Sequence, residues 1–573
     1  MKSPRSLHDS VILECNLHLF PKTHIDYLFP LLNERVVQKK SITKLLSILF
    51  LVSAFLITCV LDVDASGKQA KAKHIILFIG DGMQLEHEIA ASRYLFGRDA
   101  ELSFHKLMYK GYVATWDVTT YNRYALAAGL PTYTPTGFNP KVGYDPFKGG
   151  LKPYPAQGGG INDAYFLTKL SSSPTDSAPQ HPATDSASAA TAWATGIKTD
   201  DGNISWKQGD PPDGALKTIA ELLREQKGFS IGVVSTVPFT HATPAAYVSH
   251  NVSRNNYVQI AKEIIRAVQP EVVIGGGYPG PGGTGTFNYL GEVDYNFLKS
   301  SDPANPYLFV EREAGVDGSV SLLDAAYDAA EQGKKLFGLF GGRGGNFESP
   351  IAFDFPGTPL VVRSTLENPL LKDATLAALK VLGQDPDGLF VMIEQGDIDW
   401  ANHANDFQRM IGTTWDLHAA VQAAIDFVNQ PDDGIDWSNT LLIVTSDHSN
   451  SYMRLQAELM AGDLPTQEGT CGYGGPACTY PDKDVTYGST EHTNELVMLY
   501  AQGAFQFSDF KKNEGRWYPC TRIIDNTQPY HIIAEAAGVP QASFLSPVVE
   551  RPRTCDWQEK EFESLIPPGV LSG

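Results

Sequence analysis

His74-Ile75-Ile76-Leu77-Phe78-Ile79 runs straight into Gly80-Asp81-Gly82-Met83. An apolar run of this length with β-branched residues reads as a strand buried on both faces. The glycines mark an abrupt turn, and Asp81 is the first charge met on leaving the strand. The same grammar recurs along the chain. Leu389–Ile393 leads to Glu394, Leu441–Thr445 to Asp447-His448, and Ser230–Ser235 is followed shortly by His241 and Thr243. Another strand is expected at Glu271–Ile274, with helical patterns at Leu216–Glu225, Tyr257–Val268, Leu370–Leu382 and from about Ala404 to Val428. Strands alternating with helices predict an α/β fold, a central mostly parallel sheet flanked by helices on both faces. Ligands bind beyond the carboxyl ends of the strands in such sheets. One acid after a strand is commonly a helix cap. Four strand ends carrying carboxylates, imidazoles and a hydroxyl are not explained by capping.

Composition narrows the function. Of 573 residues, 42% are hydrophobic and 19% charged, as in a folded chain, and the 52 Gly and 37 Pro imply many turns. The net charge of −20 argues against nucleic-acid recognition, which needs a basic footprint. A phosphate site on such a surface must carry its own positive charge, from metal ions or a well-placed Arg.

The N-terminus reads as an export signal. Lys39, Lys40 and Lys44 precede a charge-free apolar run from Leu45 to Leu61, followed by Asp62-Val63-Asp64-Ala65. Residues 1–65 are therefore expected to be a leader with its apolar core at 45–61, cleaved after Ala65, and translation is expected to start near Val36 or Val37. Cleavage leaves no stable membrane insertion and a periplasmic or extracellular product; lipid anchoring at Cys59 is the weaker alternative. Four cysteines remain in the mature part, and spacing favours Cys471 with Cys478, leaving Cys520 with Cys555. Within the globular domain, 66–573, the stretch 119–182 is rich in Tyr, Pro and Gly with little periodicity, and reads as an insertion. Gly275–Pro306 has a similar character.

Thr184-Asp185-Ser186-Ala187-Ser188-Ala189-Ala190 suits a closely packed helix with Ser186 at its N-terminus. Free N–H groups and the helix dipole favour an anion there. Either Asp185 or Ser186 would also serve as an ordinary N-cap. In Glu394-Gln395-Gly396-Asp397-Ile398-Asp399-Trp400-Ala401-Asn402-His403, Asp399 and His403 are four residues apart and share a helix face, able to grip one metal ion. Thr445-Ser446-Asp447-His448-Ser449 offers a carboxylate and an imidazole together, and Glu491-His492-Thr493 adds another imidazole. His418 and His531 sit in ordinary helical patterns and read as structural.

In this order, Asp81-Gly82-Met83, Thr184-Asp185-Ser186-Ala187, His241-Ala242-Thr243-Pro244-Ala245, Arg254, Glu394 with Asp399 and His403, Asp447-His448, and Glu491-His492-Thr493 closely resemble the alkaline phosphatases, over roughly Lys73 to Gly503. The resemblance implies two zinc ions and one magnesium ion. Asp399, His403 and His492 would hold the first zinc; Asp81, Asp447, His448 and the Ser186 oxygen the second; Asp81, Thr243 and Glu394 the magnesium. Ser186 would be the phosphate-accepting nucleophile, and Arg254, oriented by Asp185, would clamp the phosphate. The implied substrates are small phosphomonoesters, and the resemblance admits a homodimer.

Two positions depart from the pattern. His241 stands where many bacterial members have Asp, and Trp400 where they often have Lys. An imidazole beside the third metal shifts its preference from magnesium toward zinc or cobalt. The alternatives are a phosphodiesterase or nucleotide pyrophosphatase of the same superfamily, a sulfatase, and an inactive phosphate- or metal-binding protein. Ser186 with Arg254, Thr243 and Glu394 counts against the phosphodiesterase. The small residues after Ser186 do not fit a sulfatase, and an inactive protein would be missing a ligand.

Overall fold

The computed structural model describes residues 71–153, 161–171, 180–431, 434–505, 507–539 and 547. The expected leader, Cys15, Cys59 and Cys555 lie outside these residues. The strands of the central sheet are β1 (His74–Gly80), β2 (Tyr109–Ala114), β3 (Ser230–Pro238), β4 (Val272–Gly276), β5 (Tyr307–Glu311), β6 (Lys335–Leu339), β7 (Leu389–Gln395), β8 (Thr440–Thr445), β9 (Val497–Gly503) and β10 (Ile523–Asp525). Their order is β10-β2-β9-β8-β1-β7-β3-β4-β6-β5. All neighbouring pairs are parallel except β9 with β8 and with β2, so β9 alone runs against the rest. The expected mostly parallel sheet is present, and each anticipated strand falls within a residue or two of its expected start.

Period-two alternation divides the core into two layers. Ile75, Leu77 and Ile79 of β1 pack with helices α1 (Ser186–Thr195) and α2 (Ala242–Val248) and with helices Ile219–Lys227 and Gln528–Ala536. Ile76 and Phe78 face the other way, onto helices Leu85–Phe96, Gly318–Gln332, Leu371–Leu382 and Phe407–Val428. Every one of the five β1 side chains is fully buried, and burying each contributes about 1.5–3 kcal/mol. Helices thus cover both faces, as the two-sided apolar strands require.

The 119–182 stretch, read as an insertion with little periodicity, carries short helices among its described residues. Asp117 caps a helix at Val118–Ala127, accepting from Thr120 N, and short helices follow at Pro140–Gly143, Pro146–Gly149 and Ile161–Leu167. Aromatic side chains in and beside these helices build a satellite core around Trp116, Tyr121, Phe138 and Tyr144, joined by Trp517 and Tyr518 from far along the chain. Bulky aromatics in place of aliphatics hide the helical period. The Cys471–Cys478 disulfide forms as expected. Cys520 is also disulfide-bonded. Among the described residues, no helix is long and apolar enough to cross a membrane.

Candidate active site

The site lies beyond the carboxyl ends of β1, β3, β7 and β8. Asp81 leaves β1 through Gly82, whose φ of 70° is natural only for glycine. A Cβ on Gly82 would sit 2.8 Å from Asp399 Oδ1, so glycine here lets the β1 turn pass directly against helix α3 (Asp397–His403). The turn is tied to β8 as well: Gly82 N donates to Asp447 Oδ1 at 3.1 Å and Met83 N to Ser446 Oγ at 2.9 Å.

Ser186 opens α1 and is buried. Asp185 is the N-cap, accepting from Ser188 N at 2.9 Å, so the capping and functional readings of this pair hold together. The Ser186 hydroxyl lies 3.2 Å from His448 Nε2. That nitrogen also faces Asp81 Oδ1 and Asp447 Oδ2, each at 3.3 Å. His448 Nδ1 is next to its acceptor, the Ser449 carbonyl at 3.3 Å, which places the ring proton on Nδ1 and the lone pair on Nε2. Burial, with His492 adding to it, holds His448 well below the usual imidazole range, so it is neutral.

A second cluster adjoins the first. Asp399 Oδ2 lies 3.2 Å from His403 Nε2, Asp399 Oδ1 lies 3.3 Å from His492 Nε2, and the two Nε2 atoms are 3.1 Å apart. Both histidines pair Nδ1 with a backbone carbonyl, His403 with Thr490 at 2.6 Å and His492 with Thr184 at 2.9 Å. This is the arrangement that orients a metal-binding imidazole and leaves Nε2 free to ligate. Rings of His448 and His492 stack at 3.6 Å, so the clusters share a wall.

Glu394, at the end of β7, accepts from Ser235 Oγ on β3. Burial raises its carboxyl to about 7, and raises Asp447 to about 6 and Asp81 well above the ordinary value. Asp81 Oδ1, Asp447 Oδ2 and Glu394 Oε1 are buried acceptors with no hydrogen bond among the described residues. Buried acceptors are seldom left unmet. A crowd of carboxylate oxygens and imidazole lone pairs with so few donors fits divalent cations.

At the N-cap of α1, Arg254 Nη1 donates to Asp185 Oδ2 at 2.9 Å, and Gly202 N donates to the same oxygen at 3.0 Å. Burial works against both charges, yet the pair prevails: Asp185 stays below the usual carboxylate range and Arg254 rises. His241 precedes α2 at its N-cap position, and Thr243 lies inside that helix. The His241 ring packs parallel to Tyr257 at 6.2 Å and edge-on to Trp400 at 5.9 Å, and burial lowers its pKa to about 3.

A family model described as alkaline phosphatase matches residues 161–280 and 319–466. Alkaline phosphatase H of Pseudomonas aeruginosa (strain UCBPP-PA14) is 30% identical over 471 residues, covering 76% of this chain and 80% of that protein. The chain belongs to the alkaline phosphatase family. Alkaline phosphatase 3 of Bacillus subtilis (strain 168) is 31% identical over 301 residues, spanning 52% of this chain and 55% of that one. The chain thus spans about half the length of that relative. The fold also matches the Thermus thermophilus alkaline phosphatase crystal structure, at 19% identity and TM-score 0.51, over 84% of this chain and 96% of that one.

Family motifs do not account for every neighbour. Asn450 Nδ2 donates to Asp399 Oδ1 at 2.6 Å, from a two-residue strand paired in register with His492. Ser188 Oγ bridges Asp185 Oδ1 and Asp117 Oδ2, each at 2.7 Å, tying the Arg254 partner to the helix at Val118–Ala127. Tyr473 stacks on Trp400 at 4.6 Å. Sequence reasoning passed over Asn450, Ser188 and Tyr473; only closeness to His448 or Ser186 hinted at the first two.

Proposed function

We propose that this member of the family hydrolyses phosphate monoesters through a phosphoserine at Ser186. The observation that carries the reading is the position of the Ser186 hydroxyl. It sits at a helix N-terminus, 3.2 Å from a neutral imidazole nitrogen that also faces two buried carboxylates, with Arg254 held nearby by Asp185. Asp399, His403 and His492 would hold one zinc; Asp81, Asp447, His448 and the Ser186 oxygen the other; Asp81, Thr243 and Glu394 a magnesium. When bound, these cations supply the positive charge that phosphoryl transfer requires around its attacking and leaving oxygens.

The chain's own groups do the rest. Arg254 takes two non-bridging oxygens of the phosphate, and Asp185 keeps its guanidinium in plane for that bidentate contact. The free N–H groups of the first turn of α1 add partial positive charge beside the same oxygens. Ser186 Oγ attacks phosphorus as the ester P–O bond breaks, and the alcohol leaves. Water then attacks the phosphoserine, releasing inorganic phosphate and restoring the hydroxyl. His241, near the third position, tilts its preference from magnesium toward zinc or cobalt. Export ahead of function, by the leader at 1–65, belongs to the same reading.

Acid trapping with labelled phosphate tests it. Label on Ser186, lost in Ser186→Ala with activity down by about 10⁴-fold or more, is the expected result. Label elsewhere, with full activity in that variant, overturns the mechanism. A preference for a phosphodiester or a sulfate ester over a monoester in the same assay favours those alternatives instead.

A further inference from the structure

Tyr473 occupies the tip of a loop with an unusual build. Cys471 and Cys478 close it covalently, and Cys478 N donates to the Ala404 carbonyl at 2.8 Å, one residue beyond the metal-cluster histidine His403. Between the cysteines, Gly475 N bonds back to Gly472 O at 2.9 Å, with Tyr473 and Gly474 at the turn's corners. Gly474 has φ of 74°, the corner conformation that glycine supplies without strain. The loop is therefore a short, fixed bracket, and its one large side chain is a tyrosine.

That tyrosine is aimed at the site. Its ring lies face to face with Trp400 at 4.6 Å and 12°, and 5.6 Å from the His403 ring. Trp400 meets His241 edge-on, and His241 stacks on Tyr257, three residues past Arg254. An aromatic belt thus runs from the more exposed metal cluster to the phosphate-binding arginine. The residue is 56% exposed. With Trp400 covering one face, the rest of the ring is open to a planar group beside the His403 cluster. A disulfide-fixed ring loses little freedom on binding, so stacking on it is not offset by ordering the loop.

We propose that Tyr473 is a specificity residue, a stacking platform for planar leaving groups, so that the favoured substrates are phosphomonoesters of nucleosides and other aromatic alcohols. The proposal deepens the phosphatase reading and rests on it. Adenosine 5′-monophosphate and ribose 5-phosphate differ only in the base, so their kcat/KM ratio reports the platform and little else. The wild-type ratio should be roughly tenfold, in keeping with base stacking on an aromatic side chain. Tyr473→Ala should bring it close to one while leaving ribose 5-phosphate within about twofold, and Tyr473→Phe should keep it. Phenylphosphonate should likewise lose inhibitory strength in Tyr473→Ala while methylphosphonate does not. A ratio unchanged by Tyr473→Ala, or equal losses on both substrates, overturns the platform and leaves the phosphatase reading intact. Failure of the wild type to hydrolyse either ester overturns both.

Discussion

The two candidate metal-ligand clusters share a wall but not a character. Around Asp81, Asp447, His448 and Glu394 the protein is closed: the last three are fully buried and Asp81 is nearly so. Around Asp399, His403 and His492 it is open, with 23% and 18% of the two histidine side chains exposed. The closed cluster leaves three buried oxygens unmet and has its carboxyls pushed up by burial. The open cluster neutralises itself. Burial opposes its charges, yet His403 and His492 hold Asp399 well below the usual range, and Asp399 lifts His403 to about 9. The lesson is one of division. The closed cluster leaves buried acceptors that a cation would satisfy, whereas the open one balances its charge with protons and is the more exposed of the two.

The largest expected effect comes from breaking the closed cluster. Asp447→Asn removes an anionic ligand while keeping an acceptor for Gly82 N, and several kcal/mol of charge stabilisation should go with the metal. Activity should fall by at least about 10³-fold, and metal analysis should show one ion fewer per chain. Full metal content with wild-type rates would show that the closed cluster is not a metal centre.

Next in size is the open cluster's support. Asn450→Ala removes the donor to Asp399 Oδ1 without touching a ligand. Zinc affinity there should weaken by roughly 10–100-fold in a chelator competition, while the tightly held ion of the closed cluster stays. Equal weakening of both ions would erase the distinction between the clusters.

The smallest effect is in pH dependence of the metal-free protein. Burial raises Glu394 from 4.5 to about 7 and Asp447 from 3.8 to about 6. Folded values above the unfolded ones mean that the native state binds more protons in this window. Its contribution is complete at pH below the unfolded values and is lost as pH rises through about 6 to 7. Chelator-treated protein should therefore lose Tm between about pH 4 and pH 7, and adding zinc and magnesium should recover more Tm at the higher pH. Glu394→Gln should flatten that slope. A metal-free Tm that climbs over the same range would contradict the closed-cluster assignment.

Much of this site was legible because its ligands follow strands or share a helix turn. Asp81, Glu394 and Asp447 each follow an apolar run, and Asp399 with His403 keep an i,i+4 spacing that survives in α3. Ser186 stood out by the small residues behind it, which pack α1 without exposure. The satellite core was not legible. Trp116 Nε1 donates to the Tyr518 hydroxyl at 2.6 Å across 402 residues of sequence, and no local period announces such a pair. Tyr473 was hidden for the same reason, since a tyrosine among glycines looks like any surface turn until Trp400 is seen beneath it.

The sequence by itself determined five of the central strands, the candidate ligands at their ends, and the helix that opens with Ser186, because each depends on residues within a turn or a strand length of one another. Tertiary structure alone decided which carboxylates are starved of partners, which imidazoles reach solvent, and which aromatic ring stacks on Trp400. Those properties arise from burial and through-space contact between segments brought together by the fold. The meeting of Gly82 with Asp447, 365 residues apart, is a case in point. Desolvation and hydrogen-bond supply depend on what the fold packs around a group, and chain neighbours do not specify that.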